Sequence, residues 1–296
     1  MTDTGFPDHE YLTVKELAEL LRLKERKVYD LAASGAVPCS RATGKLLFPA
    51  EEIRAWIAGA KTGGVGSAPV KLPPIVLGSH DPLLDWAIRQ SRCGLATFFD
   101  GSLDGLDRFL RGEGMSAGLH VHDPENDSWN TSLVAQAAAQ RNSVLISFAV
   151  RRRGLVFRPD AGPFRELADV AGCRIVPRQP ESGTDRLFRH LAERAGVDIG
   201  QLEFAETART EDTAVEAVRR GTADVAFGLE AVAQSYGLSF LPIIDEQFGL
   251  LVDRKAWFEP PFQTLLQFLK GDAFARRATE TGGYDVGELG TVLWNG

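Results

Sequence analysis

The chain has 296 residues, with 33 Lys and Arg against 40 Asp and Glu, and 44% of its residues are hydrophobic. This composition is typical of soluble globular proteins and allows two or three domains. No apolar run approaches the roughly 18 residues of a membrane span, and the three cysteines are too scattered for a disulfide framework. We therefore expect a cytoplasmic protein without a membrane partner, because the N-terminus also lacks the features of a secretion signal.

The net charge of -7 is unevenly distributed along the chain. Residues 1–62 carry nine basic and nine acidic side chains, so the whole acidic excess lies after residue 62. Residues 22–48 contain six basic side chains and only two acidic ones. An acidic chain is a poor partner for nucleic acid as a whole, but this local basic segment is of the kind that contacts a phosphate backbone.

The N-terminal segment has the pattern of two short helices joined by a tight turn. Thr13 and Glu16 form a capping box, and apolar residues at helical spacing predict a first helix over 13–21. The same spacing predicts a second helix over 24–33, which Ser34 and Gly35 end.

A wing and a closing helix are predicted next. Two extended runs reverse near Thr43 and Gly44, where glycine supplies the positive φ of such a turn. Pro49 is expected at the first position of a third helix, with Glu51 and Glu52 in its first turn. The second helix would enter a major groove while the wing reaches phosphates, which predicts DNA contacts from Lys24, Arg26, Lys27, Tyr29, Arg41 and Lys45.

The rest of the chain alternates strand-like and helix-like segments after a Gly- and Pro-rich linker. We predict a DNA-binding domain over 1–60, a linker over 61–74 and an α/β body over 75–296 with mainly parallel pairing. The body is expected to have two lobes, the first formed by about 75–150 and 241–296 and the second by about 151–240. Functional loops should lie where strands end.

Three of these loops carry small hydroxyl residues next to a predicted helix start. Hydroxyls and first-turn amides together can hold an anion without a formal counter-charge, although each serine taken alone is more often an ordinary helix cap. The predicted ligand-binding residues are Ser79, His80, Gly101, Ser102, His122, Arg178, Ser182, Gly183 and Thr184. Glu181 stands beside the last of these loops, where a carboxylate would oppose an anion.

Other polar clusters point to structure rather than chemistry. Arg151, Arg152 and Arg153 are expected to form a solvated crossover, with the option that one of them faces an anionic ligand. His120 and His122 are not expected to share a metal ion, and no cation ligands are predicted. No nucleophile, phosphate-loop or zinc-protease motif is present, so we predict that the chain is not an enzyme.

Two resemblances add to this interpretation. Residues 10–60 resemble the excisionase/MerR-like winged helix-turn-helix family in the motifs at 11–21, 27–31, 34–38, 45–49 and 52–57. Residues 75–255 resemble the periplasmic-binding-protein-like domain attached to helix-turn-helix regulators, which is related in fold to molybdate-binding proteins. The matching motifs lie at 76–81, 101–106, 118–124, 177–184, 214–224 and 237–240. The resemblance implies a type II periplasmic-binding-protein-like fold and a one-component regulator.

The function implied is transcription regulation by a homodimer that binds double-stranded DNA and responds to a small oxyanion. The resemblance implies molybdate or tungstate as the effector, with no other cofactor. Two alternatives remain open at this point. The N-terminal unit could serve a recombination or architectural accessory protein that bends DNA, or the body could be a molybdenum-cofactor-related enzyme that has acquired a DNA-binding domain.

Overall fold

A computed structural model describes residues 9–41, 44–59, 71–180 and 182–296. The linker prediction therefore falls mostly outside the described residues, as do Thr43 and Glu181. By internal contacts the chain divides into two compact units, Met1–Lys71 and Leu72–Gly296. None of the helices within the described ranges is long and apolar enough to cross a membrane.

The first unit is a small helical domain with a two-stranded sheet. Its elements in chain order are β1 (Tyr11–Thr13), α1 (Val14–Leu21), α2 (Glu25–Ala33), β2 (Leu47–Pro49) and α3 (Ala50–Gly59). Strands β1 and β2 pair antiparallel. The helices close over a core whose fully buried members are Leu12, Leu17, Val28, Phe48 and Ile53.

Local sequence signals explain most of these boundaries. The Thr13 hydroxyl accepts a hydrogen bond from the Glu16 amide, and the Glu16 carboxylate accepts one from the Thr13 amide, so the predicted capping box is present. A bridge between Ser40 and Leu47 closes the wing, with Gly44 at a φ of 75°. The third helix begins at Ala50, and Pro49 precedes it as the last residue of β2 rather than filling its first position.

The second unit carries the remaining helices and strands. In chain order they are β3 (Ile75–Gly78), α4 (Pro82–Ser91), β4 (Ala96–Phe99), α5 (Ser102–Arg111), β5 (Ser116–Leu119), β6 (His122–Asp123), β7 (Ser128–Trp129), α6 (Thr131–Ala137), β8 (Ser143–Phe157), β9 (Arg174–Val176), α7 (Gly183–Arg194), β10 (Glu203–Phe204), α8 (Glu211–Arg220), β11 (Val225–Leu229), α9 (Glu230–Ser235), β12 (Ser239–Asp253), α10 (Pro260–Leu269), α11 (Asp272–Thr281), β13 (Tyr284–Asp285) and β14 (Val292–Asn295).

Two 15-residue strands, β8 and β12, run through the whole of this unit as an antiparallel pair. We call lobe I the part built on the first half of β8 and the last half of β12, where β5 pairs with β12 and then with β3 and β4. Lobe II is the part built on the other halves, where β11 pairs with Arg153–Phe157 and then with β9 and β10. Each lobe has its own hydrophobic core.

The long pair also corrects three expectations. Pairing in this unit is not mainly parallel, because β8 and β12 pair antiparallel with each other and with β5, β11, β13 and β14. The sequence pattern indicates only 240–243 as a strand, whereas β12 continues to Asp253. Arg151, Arg152 and Arg153 are not a solvated crossover, because they lie inside β8 where it passes from lobe I to lobe II. Arg151 and Arg153 face the interior and are 1% and 0% exposed, while Arg152 points outward between them.

Glycines allow one close crossing that shapes lobe I. Helix α5 passes so near β3 that a Cβ on Gly105 would lie 2.1 Å from the Gly78 Cα. Gly78 itself adopts a φ of 96°, which favours glycine. This crossing brings the start of α5 next to the loop that follows β3.

Candidate functional site

The first unit presents a basic surface formed by α2 and the wing. Arg26, Lys27 and Tyr29 lie on α2 and are exposed, and Lys24 occupies the N-cap position of this helix without a side-chain capping hydrogen bond. Arg41 and Lys45 are exposed on the wing. A groove of about 520 Å³ between helix and wing is lined by Tyr29, Arg41 and Lys45, together with Lys15 and its neighbours at the start of α1.

This groove brings together only part of the predicted DNA-contact set. Lys24, Arg26 and Lys27 are exposed on α2 but do not line the groove. Lys15 is the basic residue that sequence reasoning missed. Its position in the first turn of the first helix is the signal that could have found it, because that turn packs against β2 and hence against the wing.

In the second unit, a cavity of about 20 Å³ lies between the two lobes. This volume exceeds the ~10–15 Å³ that one water molecule needs, and it is far below the ~300–1,000 Å³ of sites for drug-sized ligands. The lining residues come from lobe I (Ser79, His80, Phe99, Gly101 and His120) and from lobe II (Arg178, Gln179, Ser182, Thr184, Arg209 and Glu211).

A chain of hydrogen bonds positions the lobe I side. The Ser79 and Ser102 hydroxyls share a hydrogen bond of 2.8 Å, and Ser102 Oγ accepts another from the His120 amide at 3.1 Å. Ser102 is fully buried and does not line the cavity, so it acts on the site only through Ser79 and His120.

The N-terminus of α7 forms the lobe II side. Ser182 caps this helix by accepting a hydrogen bond from the Asp185 amide, and Thr184 lies in its first turn. First-turn amides of a helix have no partner within the helix, which makes such an end favourable for negative charge. The Ser182 hydroxyl proton is not used by this cap, so it can be donated to a ligand.

Arg178 is less available than the sequence indicates. Its Nε and Nη2 donate to the carbonyls of Ala208 and Arg209, each at 3.0 Å, and its Nη1 lies 2.9 Å from the Glu211 carboxylate. Arg209, which lines the cavity from lobe II, lies 3.4 Å from Asp100 of lobe I. Both lining arginines are thus already paired with carboxylates.

A buried ion network underlies the cavity and joins the lobes. Arg153 contacts both Glu246, at 2.7 Å, and Glu211, at 3.1 Å, while Arg151 contacts Glu246 and lies 2.9 Å from Asp81. All five side chains are at most 4% exposed. Although burial opposes it, the guanidinium of Arg153, together with that of Arg178, lowers the pKa of Glu211 to about 2. The arginine charges likewise hold the pKa of Glu246 well below its ordinary value.

His120 connects this network to the cavity. Its Nδ1 lies 3.0 Å from Glu246 Oε2, and its ring stacks on Phe248 at 6.0 Å between centroids. Burial lowers the pKa of His120, against the opposing attraction of Glu246. The sequence did not indicate a role in the site for His120 or Glu211, which are isolated polar residues within apolar or helical segments, and it placed Arg151 and Arg153 in a solvated crossover.

Some predicted residues lie elsewhere. His122 does not line the cavity; it is hydrogen-bonded to Asp127 at 3.0 Å, and its ring lies 5.5 Å from that of His190 on α7. Gly183 does not line it either, but packs against His120, so that a Cβ there would come within 2.6 Å of the His120 carbonyl oxygen. The structure therefore brings together Ser79, His80, Gly101, Arg178, Ser182 and Thr184 from the predicted set.

Metal ligation is not supported by any cluster in the described ranges. Within them, no group of three or more His, Cys, Asp or Glu side chains could hold a metal ion. The three cysteines are free and separate.

The fold and the cavity define a two-lobed α/β binding domain joined to a helix-turn-helix unit. Residues 86–270 match the family model of the PBP superfamily domain, and residues 11–61 match that of a helix-turn-helix domain. The chain belongs to the PBP superfamily domain family, with a helix-turn-helix domain at its N-terminal side. The predicted fold class is thereby confirmed.

Known proteins similar to this chain say little about its ligand. It is 22% identical over 300 residues to the uncharacterized protein YvgK of Bacillus subtilis, covering 95% of this chain and 97% of that one. It is 30% identical over 77 residues, 26% of this chain and 68% of the other, to an uncharacterized protein encoded beside a ferredoxin gene in Clostridium pasteurianum.

The solved structures that are similar in fold include one with a bound ligand. It is a protein of Clostridium perfringens assigned to the substrate-binding proteins of phosphate ABC transporters and solved with bound phosphate. The TM-score is 0.51 at 10% identity, covering 70% of this chain and 96% of that one. At this identity the similarity concerns the fold alone.

Proposed function

We propose that this chain is a ligand-responsive, DNA-binding transcription regulator whose second unit binds a small oxyanion between its lobes. The observation that carries the proposal is the interlobe cavity, into which the hydroxyl residues Ser79, Ser182 and Thr184 converge from both lobes. The role proposed for the chain is binding rather than catalysis.

The donors of the cavity favour a small oxyanion. A space of about 20 Å³ excludes large effectors in this conformation. Hydroxyl groups and the N-terminus of α7 offer hydrogen-bond donors that suit oxygen atoms with negative charge. The sequence resemblance nominates molybdate and tungstate, and the phosphate bound by the Clostridium perfringens protein adds phosphate to the candidates.

Regulation follows from the cavity lying between two lobes. A ligand that touches both lobes binds the closed conformation better, and so it shifts the population toward closure. We propose that the chain acts as a homodimer and that closure changes the spacing of its two DNA-binding units. Coupling of this kind must be reciprocal, so bound operator DNA should also change the affinity for the ligand.

The ligand is tested by thermal shift of the full chain against molybdate, tungstate, sulfate and phosphate. A ligand that binds only the folded state raises its melting temperature by mass action, and about 100-fold excess over Kd corresponds to roughly 2.7 kcal/mol of added stability. At least one anion should raise the melting temperature in a saturable way. No shift with any of the four would refute the oxyanion proposal and leave the fold unaffected.

DNA binding is tested by gel shift with fragments of the promoter region next to the gene, over a series of salt concentrations. We expect binding at low salt that weakens steeply as salt rises, because basic residues displace counterions from the phosphates. Addition of the active anion should change the affinity. Absence of binding at low salt, with and without the anion, would refute the regulator proposal.

A further inference from the structure

The hydrogen-bonding capacity of the cavity is not limited to donors. His120 lines it, is 4% exposed and belongs to lobe I. Its Nδ1 is engaged with Glu246 Oε2 at 3.0 Å, whereas its Nε2 has no hydrogen-bond partner in the part of the chain that the structure describes. Because His120 lines the cavity, a ring nitrogen without a protein partner is free to pair with a ligand atom there.

The neighbours of the ring decide which of its nitrogens carries the proton. Glu246 is held in its ionised form by contacts with Arg151 and Arg153, so it can only accept hydrogen bonds. The His120 Nδ1 therefore carries the proton and donates it to Glu246. Because burial and the same two arginines disfavour a second proton on the ring, Nε2 is left as a lone pair.

We infer that the cavity selects an oxyanion that carries a proton, and that His120 Nε2 accepts the hydrogen bond from that proton. This inference rests on the proposed oxyanion function and narrows it. Hydrogen phosphate and its close analogues satisfy both sides of the cavity, since their bare oxygens accept from Ser182 and Ser79 while the protonated oxygen donates to His120.

Fully deprotonated oxyanions cannot donate a hydrogen bond to His120 Nε2. Sulfate, molybdate and tungstate carry no proton at neutral pH, so any of their oxygens placed against Nε2 would face a second lone pair. Sites built to pair with a ligand hydrogen reject analogues that lack it, because the buried protein atom is then left unpaired. The effector suggested by the sequence resemblance is therefore set aside in favour of a protonated oxyanion.

The test is calorimetric titration of the full chain at pH 7 with inorganic phosphate, sulfate and molybdate. We expect phosphate to bind about 100-fold more tightly than either of the others, or better, in line with the loss of one buried hydrogen bond to the ligand and the repulsion that replaces it. Sulfate or molybdate binding as tightly as phosphate would overturn this inference while supporting the wider oxyanion proposal. Silence for all three would overturn both.

A matched pair of variants locates the selectivity. His120→Phe keeps an aromatic ring but has neither a donor nor a lone pair, so the preference for phosphate should collapse to within about tenfold. His190→Phe changes a histidine that lies outside the cavity and should keep the preference of the unmodified chain. An unchanged preference in a folded His120→Phe variant would overturn the assignment.

A second measurement needs no variant. Nitrogen-15 NMR of the histidine rings in the full chain distinguishes a protonated ring nitrogen from one with a free lone pair. We expect the Nε2 of His120 to carry a lone pair at pH 7 without ligand and to shift on addition of phosphate. A protonated Nε2 without ligand would overturn the inference.

Discussion

At the scale of single residues, Gly183 is a place where the two lobes approach closely, since it packs against His120 of lobe I. Its backbone conformation is one that other residues adopt readily, because it lies in the first turn of α7 without a positive φ. What requires glycine is space, since a Cβ would approach the His120 carbonyl oxygen to 2.6 Å. Glycine at this position thus permits the close approach of the lobes, and it is not required for formation of the helix.

Gly183→Ala should separate folding from ligand binding. Alanine favours the helix and restricts the unfolded chain, so the melting temperature without ligand should be unchanged or higher. Affinity for the active anion should fall by roughly tenfold or more, equivalent to about 1.4 kcal/mol, because the lobes cannot reach the same separation. Gly200→Ala is the control, since only the flexible Asp198 side chain lies near that position. Equal affinities in both variants would contradict the role given to Gly183.

The neighbouring residues Arg152 and Arg153 provide a second residue-scale prediction. Arg153→Met removes a fully buried charge and leaves Glu211 and Glu246 without one of their partners, which should lower the free energy of unfolding by about 3–5 kcal/mol. Arg152→Met is the control, because that side chain is 51% exposed and forms a single surface ion pair with Glu230. Its effect should stay within about 0.5–1 kcal/mol in urea unfolding. Similar losses in both variants would show that burial does not decide the cost.

At the scale of secondary-structure elements, the sequence predicted the caps and turns whose hydrogen-bond partners lie a few residues apart in the chain. The capping box of α1, the turn at Gly44 and the Ser182 cap of α7 are all within four residues of their partners, so the sequence was sufficient to place them. The extent of β12 was not predictable in this way. Its second half pairs with β5 and β8, which are more than 90 residues away, and its alternation is hidden because both faces are covered.

The same distinction applies to the candidate site. Loops rich in hydroxyl residues were visible as short motifs, so Ser79, Ser182 and Thr184 were found. The ion network was not found, because Arg151, Glu211 and Glu246 lie on three separate elements and form their ion pairs only when these elements come together in the folded chain. His122 was selected in place of His120 because strand ends are uncertain by one or two residues, and β5 ends at Leu119.

The wing yields a prediction at this scale. Replacing Arg41 and Lys45 together by glutamine should reduce the slope of log affinity against log salt by about two, since each phosphate contact contributes roughly 0.9. Gel shifts over a salt series measure this slope. Lys270→Gln is the control, as it removes one exposed charge from α10's end in the other unit and should leave the slope unchanged. An unaltered slope in the double variant would exclude the wing from the DNA contact.

At the scale of the whole molecule, the buried groups make stability depend on acidity. His120, Glu211 and Glu246 all have lowered pKa values in the folded chain, so the unfolded chain binds more protons as pH falls. The stability that these groups contribute is therefore complete at neutral pH and above. It is lost first below about 6.5, where His120 would ionise on unfolding, and then from about 4.5 toward 2 as the carboxylates titrate.

Urea unfolding at a series of pH values between 7.5 and 3 tests this dependence. The midpoint should fall in two stages as the solution is acidified, and His120→Gln should abolish the first stage while keeping the second. A midpoint that rises between pH 7 and 5, or a first stage that survives in His120→Gln, would contradict the assignment to His120.

The shared strands β8 and β12 affect the order in which the units of the chain can fold during synthesis on the ribosome. Lobe I needs β3 to β5 from residues 75–119 and the end of β12 at Asp253, so its sheet cannot be completed until some 130 further residues have been made. The helix-turn-helix unit, by contrast, has all its pairings within residues 11–59. Contacts between distant segments form slowly. During synthesis the chain therefore completes its helix-turn-helix unit well before the unit that is proposed to control it, and under the proposed function each new molecule passes through an interval without that control.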